Sequence, residues 1–91
     1  MKYIGFWEFD PKDFDIVLKK YLDQDSWPDF PKTITEGFGL GGEFEGFQLY
    51  ETDNPEQLAN LALYYMPEMT WRFVPIFEVS KVVEKYQEIK K

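Results

Sequence analysis

The chain holds no histidine and no cysteine among its 91 residues, so any acid–base or nucleophilic chemistry falls to its other polar groups. Imidazole bases, imidazole metal ligands and thiolate nucleophiles are excluded together. Ser26 and Ser80 are the only serines, and neither lies in a G-x-S-x-G frame. A glutamate is the better candidate for acid–base work. Glu36 alternates with Ile34 and Phe38, and Glu8 lies in the aromatic opening segment. Burial among such neighbours raises a carboxyl pKa and suits it to act as acid or base. Arg72, beside Trp71, offers a guanidinium fork for a ligand carboxylate. Gln48 falls between Phe44 and Tyr50 in alternation, an amide among rings.

Two further motifs have plainer accounts. Gly37-Phe38-Gly39-Leu40-Gly41-Gly42 fits G-x-G-x-x-G, yet a nucleotide fingerprint needs a helix to follow. Here Glu43-Phe44-Glu45-Gly46-Phe47 follows, strand-like and acidic, so these read as hairpin glycines. Asp23, Asp25 and Asp29 suggest hard-cation ligands, but a calcium loop wants glycine at its sixth position and glutamate at its twelfth. Pro28 and Ile34 stand there. A solvated acidic loop is expected, with no metal and no cofactor.

Seventeen acidic residues against 10 basic leave a net charge of −7. Phosphate neutralisation needs a basic patch, so nucleic acid is excluded as a partner. No apolar run approaches the ~20 residues of a membrane span. Charge at Lys2 and Glu8 breaks up any export-signal core, and the cytoplasm is the expected compartment.

The elements that position these residues follow from periodicity. Lys2 to Phe9 alternates as a strand. Asp10-Pro11 starts a helix whose stripe is Phe14, Val17, Leu18, Tyr21 and Leu22. Strands are expected over Thr33 to Leu40 and Phe44 to Glu51, joined at Gly41-Gly42. Asn54-Pro55-Glu56-Gln57 starts a second helix as a capping box, with Leu58, Leu61, Ala62 and Tyr65 inward. A strand over Thr70 to Phe77 and a closing helix with Val79, Val82, Val83, Tyr86 and Ile89 complete residues 1–91 as one domain. The order is that of a ferredoxin-like α+β sandwich, βαββαβ, with an extra C-terminal helix. Pro75 places its strand at a sheet edge, and the Trp27-Pro28-Asp29-Phe30-Pro31 loop either staples itself to the sheet or lids the barrel mouth.

Both faces of this sheet are apolar, where a soluble antiparallel sheet shows one. The two main helices are expected over Ile4, Phe6, Phe47, Leu49, Val74 and Ile76. Tyr3, Trp7, Phe9, Tyr50, Trp71 and Phe73 would then lie bare, with Phe44, Phe77 and Gln48. Eight half-exposed rings amount to roughly 800 Å², beyond the ~300–600 Å² of a typical monomer's largest patch. A second copy is expected to cover them and enclose a chamber lined by Trp7, Gln48, Tyr50, Trp71, Phe73 and Arg72. The alternative is that the C-terminal helix folds back over this face.

The stretch Gly46-Phe47-Gln48-Leu49-Tyr50-Glu51-Thr52-Asp53-Asn54-Pro55-Glu56-Gln57-Leu58, with Val74-Pro75-Ile76, the Tyr3 to Phe9 strand and Pro11, resembles a family of small prokaryotic proteins of unknown function. The resemblance spans nearly the whole chain and implies a dimeric α+β barrel, akin to small monooxygenases and muconolactone-isomerase-like proteins. Members often carry histidine and tryptophan in the second strand, where this chain has Glu36-Gly37-Phe38. No catalytic residue carries over. Three readings follow: a homodimer binding a small apolar or aromatic molecule between its sheets, a cofactor-free oxygenase or isomerase using Glu36 or Glu8, and a structural module whose aromatic face is only glue.

Overall fold

Alternating large residues make a strand of Lys2–Phe9, since such side chains suit a pleated surface. In chain order the elements are β1 (Lys2–Phe9), α1 (Phe14–Leu22), β2 (Lys32–Thr33), β3 (Phe38–Gly39), β4 (Glu45–Glu51), α2 (Glu56–Tyr65), β5 (Met69–Ile76) and α3 (Val79–Lys90). Short 3-10 turns cover Pro11–Asp13 and Gln24–Ser26. The computed structural model describes residues 1–26, 29–40 and 44–90, Ser26 by its backbone alone. The Gly41-Gly42 turn and the Trp27-Pro28 part of the proline loop lie outside the described residues.

The sheet is antiparallel and runs β2-β4-β1-β5, with β3 also on β4. β5 is an edge strand, which suits Pro75 because proline has no N–H for a second ladder. The expected strand over 33–40 is broken into two two-residue pieces, β2 and β3. Between them the Thr35 hydroxyl accepts from Leu49 N at 3.3 Å, so a side chain replaces a ladder bond.

Register decides which residues share a face. Ile4 opposes Leu49 and Val74, and Phe6 opposes Phe47 and Arg72. Trp7 opposes Gly46 and Trp71, and Gly5 opposes Gln48 and Phe73. The helices lie on the Trp7 face. Val17 of α1 and Leu61 and Tyr65 of α2 pack with Tyr50 and Met69, and Trp7, Phe9, Trp71 and Phe73 join them. This reverses the expected arrangement. The aromatic face is the covered one, and Ile4, Phe6, Phe47, Leu49, Val74 and Ile76 form the face no helix covers.

Gly5 and Gly46 mark the covered side, each with a ring lying where a β-carbon would stand, Trp7 in the case of Gly46. A β-carbon at Gly5 would lie 2.9 Å from the Phe73 ring and 3.0 Å from Tyr50. Rings that fold over their own sheet in this way are packing beneath a layer.

α2 is capped more elaborately than a capping box. Asn54 Oδ1 accepts from Glu56 N at 3.1 Å, and Asn54 N donates to Thr52 Oγ1 at 2.9 Å. Gln57 does not reach back to the Asn54 N–H as expected. Its Oε1 meets the Thr52 hydroxyl at 2.5 Å, and its Nε2 donates to Asp29 Oδ1 at 2.9 Å. Asp29 has φ 67°, a left-handed conformation that Asp tolerates, and it ties the loop to α2.

α3 covers neither face of its own sheet. Every described residue of it is exposed, including Val79, Val82, Tyr86 and Ile89. Just before it, Lys2 Nζ of β1 pairs with Glu78 Oε1 at 3.3 Å. Among the described residues, no helix is long and apolar enough to cross a membrane.

Candidate functional site

α1 carries the apolar stripe its sequence implies, but only Val17 of that stripe is buried. Phe14, Leu18 and Tyr21 remain 47%, 44% and 59% exposed. Full burial of such side chains is worth about 1.5–3 kcal/mol each, so the helix stands off a surface it was built to meet. It is held there by its C-terminal end. Lys20 Nζ donates to Glu68 Oε1 at 2.6 Å and to Met66 O at 2.9 Å, and the Tyr64 hydroxyl donates to Lys20 O at 2.5 Å. Just beyond the helix, the Tyr65 hydroxyl donates to Gln24 Oε1 at 2.6 Å. At the other end Phe14 meets Phe9, with ring centroids 6.3 Å apart.

The space left between α1 and the sheet is a cleft of about 320 Å³. Its floor is Trp7, Gln48, Tyr50 and Trp71, and its roof is Phe14, Leu18 and Tyr21. The floor is rigid by packing: Trp71 stacks on Phe73 at 5.5 Å and meets Tyr50 edge-on at 6.1 Å. Among the described residues, no carboxylate, lysine or arginine lines it.

Besides the Tyr65–Gln24 pair at one end, its floor carries a hydrogen-bonded chain. The Tyr50 hydroxyl donates to Gln48 Oε1 at 2.8 Å, and Gln48 Nε2 donates to Thr35 O at 2.8 Å. A glutamine amide has two N–H donors and two oxygen lone pairs, so one of each remains beyond this chain. Burial raises the hydroxyl pKa of Tyr50 and of Tyr65 well above the ordinary 10.0, with neighbouring tyrosines adding to it. Both phenols therefore stay neutral donors across the physiological range. The wall also holds an orphan, since Trp71 Nε1 is buried without an acceptor among the described residues. An unpartnered buried donor costs about 1–3 kcal/mol.

Of the residues expected to line a chamber, Trp7, Gln48, Tyr50 and Trp71 do come together, inside one protomer and beneath its own helix. Phe73 is next to them but supports Trp71 from behind. Arg72 does not join them. Alternation along β5 turns it to the open face, where its guanidinium carbon lies 4.6 Å from the Phe6 ring centroid, a cation–π distance. Glu8 and Glu36 are both exposed, and neither lines the cleft. The acid–base chemistry expected of a buried glutamate has no carboxylate there. The three-aspartate loop holds no cluster that could ligate a metal ion among the described residues.

Sequence reasoning missed Phe14, Leu18 and Tyr21 as cleft residues. A helix stripe reads the same whether its partner surface is in contact or a few ångströms away. No curated protein matches this chain. A family model does, over residues 1–90, and the chain belongs to that family, described as a domain of unknown function, DUF3303.

Proposed function

We propose that this chain is a small-molecule-binding protein of ferredoxin-like α+β topology that works as a homodimer, its ligand an apolar or aromatic compound held between α1 and the sheet. The observation that carries the reading is the cleft itself, with three large side chains of α1 exposed above a preformed aromatic floor. At about 320 Å³ it lies near the lower end of ligand sites, ~300–1,000 Å³, which fits a molecule of one or two rings. The spare donor and lone pair of Gln48 would orient a single hydroxyl or carbonyl on that ring. The place expected between two sheets moves with the aromatic face. Pairing is supported by the apolar surface on the opposite side, which any second copy would reach without touching the cleft.

The test uses 2-naphthol as probe. Trp7 and Trp71 in the floor should transfer excitation to it, with saturation in the micromolar range. Leu18→Trp should fill the roof and abolish that transfer without lowering stability. Native mass spectrometry of freshly purified protein should show a co-purified small molecule. Absence of saturable transfer, together with ligand-free mass spectra, would discard the reading. A purely structural role predicts instead that Gln48→Leu leaves naphthol affinity unchanged while stability falls, since the Tyr50 hydroxyl and Thr35 O lose their partner. Ligand orientation by the amide predicts weaker binding by about tenfold.

A further inference from the structure

The radius of gyration is 15.8 Å, against about 12 Å for a compact chain of this length. The accessible surface is 6785 Å², where a folded monomer of this size exposes about 5,600 Å². The protomer thus carries an excess of ~1,200 Å², and a standard interface takes ~800 Å² from each partner.

Part of that excess lies on α1 above the cleft; two further surfaces share it, the open sheet face, where Ile4, Phe6, Phe47 and Val74 are half-buried, and the bare stripe of α3. Neither suffices alone. Three strands of seven or eight residues flanked by the two-residue β2 and β3 present a face no larger than roughly 26 by 19 Å, at most ~500 Å² in projection, short of a stable interface. The 12-residue α3 adds a strip of roughly 18 by 10 Å. The two are also placed to act together. The first turns of α3 border one groove with Lys2, Glu51 and Ile76, all residues of the open face, so the helix rises at that face's margin.

We infer that two copies clasp by exchanging α3, each laying its stripe of Val79, Val82, Val83, Tyr86 and Ile89 on the open sheet face of the other. The inference rests on the homodimer reading above and adds the element that makes pairing tight. Charge is neutral to it: the open face mixes the acids Glu8, Glu45 and Glu51 with Lys2, Lys32 and Arg72, and at 100° per residue Lys85 borders the stripe while Lys90 falls within it. A lipid surface is a poorer occupant, because a net charge of −7 is repelled by anionic headgroups.

The experiment is sedimentation equilibrium on the full chain and two charge-matched variants. Val83→Lys with Tyr86→Lys alters the stripe, and Glu84→Gln with Glu88→Gln alters the polar face. Each pair makes the net charge two units less negative, which by itself favours association. The wild type should be a micromolar or tighter dimer, the stripe variant should dissociate at least about 100-fold more readily, and the polar-face variant should stay dimeric. A monomeric wild type overturns both pairing and exchange, while leaving the cleft untouched. A dimer equally tight in both variants overturns exchange alone. A monomer in which the stripe variant loses thermal stability means that α3 covers its own sheet, which also overturns the exchange. The absence of cysteine allows a second readout. Phe47→Cys with Tyr86→Cys should oxidise to covalent dimer, and an intramolecular crosslink instead defeats the inference.

Discussion

Gly46 has no room for a β-carbon, which would collide with the Phe38 carbonyl oxygen and the Trp7 ring. The backbone oxygen cannot swing away, so Gly46→Ala should detach β3 and disturb the cleft floor together. Urea melts should show a loss of about 3 kcal/mol, the upper range of overpacking, with Trp7 emission shifting to the red. Gly5→Ala meets only ring edges, of Phe73 and Tyr50, and should cost about 1–3 kcal/mol without freeing β3. Equal effects of the two would mean that backbone crowding at Gly46 is not the cause. Tyr50 and Tyr65 belong to this scale too. Their folded-state pKa values lie above the unfolded 10.0, so the neutral phenols contribute stability that is whole below pH 10. That contribution falls as pH rises above 10, because the unfolded chain releases those protons first. Stability in Tyr50→Phe and Tyr65→Phe together should decline less steeply above pH 10 than in the wild type. A matching alkaline slope would assign the effect to other groups.

α1 and α2 show how elements are placed by a few polar contacts when apolar contact is thin. α2 has three buried residues, Leu58, Leu61 and Tyr65, and starts from a hydroxyl that serves three partners. Thr52 is 8% exposed, and its oxygen contacts Asn54 N, Asn54 O and Gln57 Oε1. Thr52→Val keeps the shape and removes the hydrogen bonds, so it should cost about 1–2 kcal/mol. Thermal melts check this, and a neutral result would move the cap to Asn54 alone. α1 has one buried residue and a pinned C-terminal end. Lys20 and Glu68 have side chains 25% and 16% exposed, sheltered enough for their pairing to hold the helix in place. Lys20→Met should release α1 toward the sheet. The expected outcome is a weaker naphthol signal, since the roof closes onto the floor, with stability changed by no more than about 1–2 kcal/mol.

For the whole molecule, charge and shape pull in opposite directions. Each copy carries −7, so in the proposed dimer the like charges would repel while the apolar faces attract. Screening acts over about 10 Å at 0.1 M salt, and added salt should tighten the dimer, read as a lower dissociation constant from sedimentation. Weaker association in salt would indicate a contact held by ion pairs and not by apolar area. The cleft and the open face sit on opposite sides of one sheet, so ligand binding should depend little on dimerisation. Naphthol affinity in the stripe variant of α3 checks that independence.

Strand alternation, helix stripes and proline positions determined where most elements fall. Both main helices, the edge position of the Pro75 strand and the gathering of Trp7, Gln48, Tyr50 and Trp71 on one side follow from those patterns. Alternation alone did not decide which side the helices cover, because both sides are apolar and a period of two is blind to direction. A signal was nevertheless present. The strand positions that share a side with Trp7 carry no charge, while Lys2, Glu8, Glu45, Glu51 and Arg72 all fall on the other side, and charges stay in water unless paired. Gly5 and Gly46 point the same way, since glycine inside a strand marks close packing over it. The cleft was decided only by tertiary structure. Whether a helix touches a sheet or hovers above it depends on tethers such as Lys20 with Glu68, far apart in the chain, and no local spacing encodes that gap.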